Sequence, residues 1–226
     1  MNLEVILSTS TILVLSIFLA TLLSQNFLNK GGLSYLFWSV GMWFFSMGVA
    51  LEVAFSVGVF NEVLIDVYTL IVAVLVGFLA LGSMSLLSRK ILFLSYVLYF
   101  AFTASFLIVA LLLTHTGDII SGGVVFGPLP MLVVVSSSLV TFPAAAILII
   151  VSLLSYARSK SWKLMSIVAG VIVVSIAGTL YIASFPSFLY IAEFVGILLL
   201  WFGFVDFRYL FSSKEVKERD VVGNVR

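Results

Sequence analysis

The sequence predicts an all-α, polytopic integral membrane protein with seven transmembrane helices, its N-terminus outside and its C-terminus in the cytoplasm. Three observations carry this expectation. Of 226 residues, 63% are hydrophobic and only 9% charged, whereas a water-soluble domain carries about 25% charged residues. There is too little polar side chain to cover a water-facing surface, and the mean hydropathy of +1.30 points the same way. Apolar runs of about 20 residues recur between short polar breaks. Finally, all 11 Lys and Arg residues fall on one side of the topology those runs define.

The runs lie at 3–23, 33–57, 63–87, 91–113, 131–156, 164–184 and 187–210. In the first, Glu4 is the only early charge and the apolar stretch exceeds the about 7–15 residues of a signal-peptide core, so an anchor is expected and not a leader. The third and sixth runs carry rows of small residues four apart: Ala73 with Gly77, Ala169 with Val173 and Ala177, and Gly170 with Val174 and Gly178. Such rows let helix backbones approach closely in lipid and predict contacts within the bundle. In the fifth run, Ser136, Ser137, Ser138 and Thr141 have carbonyls within reach one turn back, and Pro143 removes one ladder bond. A bent or locally opened helix follows, either an ordinary proline kink or a helix broken around a ligand. Pro186 stands at the start of the seventh run, where a missing N–H does no harm.

Orientation follows from the cations. Lys30 lies in the first break, Arg89 and Lys90 in the third, Arg158, Lys160 and Lys163 in the fifth, and the remaining five at the C-terminal end. The N-terminus and the second, fourth and sixth breaks hold none. The positive-inside rule places the cation-bearing side in the cytoplasm. Trp162, Tyr156 and Tyr209 fall near that boundary as interfacial aromatics do, while Trp38 and Trp43 lie deeper as packing or lipid-facing residues. Residues 1–211 thus read as one bundle and 212–226 as a short disordered tail of mixed charge.

Composition also narrows the chemistry. Zero cysteines exclude disulfides, thiolate metal sites and cysteine nucleophiles, and one histidine, His115, excludes bis-histidine haem and multi-histidine metal sites within one chain. No basic stripe points to nucleic acid. There is no His–Glu–x–x–His motif, and the serine in "SGG" at 121–123 has no histidine in a partner helix. No enzyme, cofactor or metal is expected. The layout resembles microbial rhodopsins in helix number and orientation only. A retinal Schiff base needs a lysine in the last span, and 187–210 contains none.

Three acids stand out. Glu52, Asp66 and Glu193 lie inside the second, third and seventh runs. At about 1.5 Å per residue, Glu52 and Glu193 sit roughly 8–10 Å below the outer boundary, with Asp66 slightly shallower. Every Lys and Arg is on the other side, so none of the three has a basic partner within the chain. A carboxylate in such a segment faces the bundle interior or water and takes its partner from water, a ligand cation, His115, a hydroxyl or a bound proton. Tyr190 shares the helix face of Glu193 three residues away, which suggests a phenol–carboxyl bond. If the helices close in sequential order, the second, third and seventh are neighbours around an outward-opening polar pocket. The competing reading has each acid wetted or protonated separately at a helix end. Glu4, Glu62 and Asp118 are expected to be solvated without a role. His115 and Asp118, three apart in a glycine-rich break of about 17 residues, form a weak pH- or metal-sensing candidate against the commoner solvated pair. That break is long enough to fold back over the pocket.

The expected function is a non-enzymatic membrane module in the cell membrane: a subunit, scaffold or small-ligand sensor acting through helix contacts. The alternative is a proton- or cation-coupled carrier or channel using the acids. The expected partners are the lipid bilayer, another membrane protein, and a proton, cation or small cationic ligand.

Overall fold

A computed structural model describes residues 3–87, 89–116, 120–121, 124–125, 129–160, 162, 165–170, 172–173 and 186–204. The protein is all-α. Its helices are α1 (Leu3–Lys30), α2 (Leu33–Ser56), α3 (Glu62–Met84), α4 (Lys90–Leu113) and α5 (Met131–Ser159). They are followed by a sixth helical segment, α6, described at 165–170 and 172–173, and by α7 (Pro186–Phe204). Among the described residues, α1 to α5 are long and apolar enough to cross a membrane, and α7 holds a shorter apolar stretch, Ile191–Gly203. The chain is a multi-pass membrane protein.

Local signals explain the helix ends. α1 runs seven residues past the first apolar run because nothing in "SQNFLNK" breaks a helix once it has left hydrocarbon. Its 28 residues span about 42 Å against a hydrocarbon core of about 30 Å. The stop comes at Gly31 and Gly32, whose φ values of 66° and 98° are costly for other residues. The α2–α3 turn uses Gly58 at φ 89° and then Asn61, whose side chain accepts from the Leu64 N–H at 2.8 Å. Pro186 opens α7 as its sequence position requires.

α1 packs on α2, α2 on α3, and α3 on both α4 and α5, which also touch each other; α7 packs on α1. α3 is therefore the hub, and its small residues explain why. A Cβ at Gly77 would run into the Phe100 ring of α4, and one at Gly82 would run into the Trp38 indole of α2. Trp38 in turn donates to the Leu79 carbonyl at 3.2 Å. Facing α3 from α2, Gly41 lies where a Cβ would meet Leu79 at 3.0 Å. In α6, a Cβ at Gly170 would meet Leu200 of α7 at 3.2 Å. The small-residue rows thus seat helices against one another as expected, whereas Ala177, Val174 and Gly178 lie outside the described residues. Trp43, half exposed, donates to Ser24 of α1 at 3.1 Å.

α5 remains helical through Pro143. The proline has no N–H for the carbonyl four residues back, that of Leu139. Tyr99 of α4 supplies the missing donor: its hydroxyl bonds the Leu139 carbonyl at 2.7 Å. Ser136, Ser137 and Thr141 bond backbone carbonyls three or four residues back, as expected.

The α4–α5 connection folds over the α2–α3 end. Strands β1 (Ile120–Ser121) and β2 (Val124–Val125) pair antiparallel, β2 lies against α2, and Leu129 packs on Phe55 and Ile65.

Candidate functional site

The α2–α3 hairpin brings the first two groups together. Glu52 stands four residues before the end of α2 and Tyr68 six after the start of α3, so both lie about 6–9 Å from the turn. The Tyr68 hydroxyl donates to Oε1 of Glu52 at 2.6 Å. The ring is held edge-on by Phe55, with centroids 5.7 Å apart. Glu52 is only 4% exposed.

The third group comes from the other end of the sequence. α7 carries Glu193 to the same place, with its carboxyl within side-chain hydrogen-bonding reach of that of Glu52. Oε2 of Glu52 and Oε2 of Glu193 are both fully enclosed, and neither meets a donor among the described residues. Two carboxyl groups in contact are acceptors facing acceptors until something lies between them. A shared proton or a cation supplies what is missing.

Beneath the pair lies a cavity of about 120 Å³. Glu52, Tyr68 and Glu193 form its polar head, and Phe45, Val49, Val72, Leu75, Leu148 and Leu200 are among its apolar walls. α2, α3, α5 and α7 all contribute, so α7, which packs on α1, meets the α2–α3 hairpin across this space.

The expected residues separate. Glu52 and Glu193 converge; Asp66 does not join them. Two residues along a helix is a rotation of about 200°, so with Tyr68 on the cavity side, Asp66 faces the α4–α5 connection. There it accepts from the Thr116 hydroxyl at 2.6 Å, and Thr116 is itself buried. His115 Nδ1 lies 2.7 Å from Oε1 of Glu62, a residue for which no role was expected. Asp118, its expected companion, lies outside the described residues, as does the side chain of Tyr190.

The phenol at the site is Tyr68, which the sequence reading missed. Depth alone does not find it: Asp66 lies as many residues from the turn as Glu52, and it is helix phase, which turns Asp66 toward Thr116, that brings Tyr68 to face Glu52.

Chemically, two facing carboxyls can share a proton or take a cation between them. Hard divalent cations such as calcium require about six to eight oxygen ligands, which this head does not provide. Among the described residues, no group of three or more His, Cys, Asp or Glu is clustered for a metal.

Comparison with protein-family models, curated proteins and solved structures gives no match for this chain. Fold and site together define a multi-pass all-α membrane protein with a buried carboxyl pair at the head of an apolar cavity.

Proposed function

We propose that the chain is a non-enzymatic module of the cell membrane that binds a small proton-donating or cationic ligand between its helices and responds through their contacts. In this reading seven helices span the bilayer, with the N-terminus outside and the C-terminus in the cytoplasm. The segregation of Lys and Arg supports that orientation: Lys30, Arg89, Lys90 and Lys160 all stand at helix ends away from the α2–α3 turn.

The observation that carries the function is the Glu52–Glu193 pair, with two enclosed Oε2 atoms that lack donors among the described residues. One member sits on α2 and the other on α7. A charge placed between them pulls the two helices together, and its loss leaves them repelling or sharing a proton. Ligand occupancy is thereby converted into helix position.

Infrared difference spectroscopy on the full chain in lipid nanodiscs tests this. As inorganic and organic cations are added in turn, the expected result is loss of the protonated-carboxyl band with at least one of them. The E52Q/E193Q variant should lack that response. Spectra unchanged by every cation overturn the proposal.

A carrier is the second reading. It is favoured by the reach of the cavity from Glu52 to Met42 along α2, about 15 Å of depth. Its test is pH-gradient-dependent flux in proteoliposomes, abolished when Glu52, Asp66 and Glu193 are changed to their amides. No flux in the wild type, or the same flux in the variant, counts against it.

A further inference from the structure

We infer that the ligand is a small organic ammonium ion, whose N–H groups meet the free Oε2 atoms of Glu52 and Glu193 and whose apolar body, about the bulk of a benzene ring, fills the cavity below. This inference rests on reading the carboxyl pair as a ligand site and adds the class of ligand.

The head of the site selects for donors and for charge. A protonated primary amine offers three N–H donors and no acceptor. Two of them satisfy the enclosed Oε2 atoms, and its charge is attracted by two carboxyls in a low-dielectric surrounding. Phe45 lines the same space, about 10 Å along α2 from Glu52, where it meets the apolar body and not the ammonium. A proton alone would bridge the oxygens but leave the volume beneath them empty. A hydrated inorganic cation would set its remaining waters against hydrocarbon walls.

The body of the ligand is argued from the cavity and from one glycine. At about 120 Å³, the space is close to the about 150 Å³ apolar cavity known to accept benzene. Gly41, Gly77 and Gly82 are required by close helix approach. Gly48, which lines the cavity, is different. A Cβ there would meet Ile71 at 3.6 Å and Val72 at 3.8 Å, which is ordinary contact. Helix packing therefore does not demand a glycine at 48; its effect is to leave the space beneath the carboxyls open.

The test uses the full chain in lipid nanodiscs, with benzylammonium, methylammonium, sodium and neutral benzyl alcohol as probes, each corrected for partition into protein-free nanodiscs. Benzylammonium is expected to bind at least tenfold more tightly than the other three, and E52Q/E193Q to lose at least tenfold of that affinity. Gly48→Leu should weaken benzylammonium at least tenfold while leaving methylammonium within about twofold. Gly48→Ala, which packing tolerates, should give a smaller loss in the same direction. Methylammonium or sodium binding as tightly as benzylammonium overturns the organic body while leaving the charged site standing. Benzyl alcohol binding as tightly overturns the ammonium head. If no cation binds a wild type that still unfolds cooperatively, this inference and the site beneath it both fall.

Discussion

Tyr68 on α3 donates its hydroxyl to Oε1 of Glu52 on α2 at 2.6 Å, while Oε2 of Glu52 is enclosed without a donor among the described residues. The phenol saturates one oxygen and fixes the carboxyl plane, so the other oxygen is held ready in the cavity. Ring contact with Phe55, at 5.7 Å between centroids, keeps the phenol from swinging away.

Tyr68→Phe removes this donor and keeps the ring. It leaves Oε1 of Glu52 enclosed and unpaired, which costs about 1–3 kcal/mol. Thermal unfolding in detergent should show the loss of stability, and cation binding should weaken as the carboxyl loses its orientation. Tyr68→Leu should be worse on both counts, because the Phe55 contact goes too.

A double-mutant cycle tests the brace between Tyr99 and the proline-freed carbonyl. Tyr99→Phe orphans the Leu139 carbonyl and should destabilise the wild type by about 1–3 kcal/mol. With Pro143→Ala, residue 143 regains an N–H for that carbonyl, and Tyr99→Phe should then cost less than about 0.5 kcal/mol. Equal costs in both backgrounds would show that the tyrosine acts elsewhere.

Gly77→Ala and Gly48→Ala add the same methyl to neighbouring helices with opposite expectations. At 77 it meets the Phe100 ring, and the forced repacking of α4 costs about 1–3 kcal/mol. At 48 it makes ordinary contacts, and stability should change by less than about 0.5 kcal/mol. Chemical denaturation in mixed micelles measures both.

Thr116→Val cuts the bond to Asp66 that ties the α4–α5 connection to α3. Hydrogen exchange should rise in the backbone around residues 114–116 and at the first turns of α3. Benzylammonium affinity should stay within about twofold, because Thr116 and Asp66 lie away from the cavity.

The architecture was legible where one physical signal dominates. Hydropathy gave α2 to α5 to within a few residues, and the larger discrepancy at the end of α1 arose because polar residues do not end a helix that glycine has yet to stop; the ends of the sixth run and the far end of the seventh lie outside the described residues. The site was half legible. Charge segregation led to the expectation that Glu52 and Glu193 lack basic partners, and among the described residues their Oε2 atoms meet no donor; depth put the two at one level. Depth alone also recruited Asp66, which helix phase turns toward Thr116 instead. Tyr68 was hidden among aromatic residues that hydropathy treats as bulk, and Glu62 with His115 join segments 53 residues apart, a distance over which local pattern carries no information.

The pairing of Glu52 with a residue of the very next helix has a consequence for biogenesis. Chains are made from the N-terminus onward, so Glu52 meets the bilayer well before Glu193 has been synthesised. The hairpin partner Tyr68 follows it by 16 residues, close enough for the two helices to enter together with the carboxyl already engaged. α7 then arrives last, bringing a second acid to a half-built site. Order of synthesis and order of assembly coincide, and the newborn chain is spared an interval with a naked charge in oil.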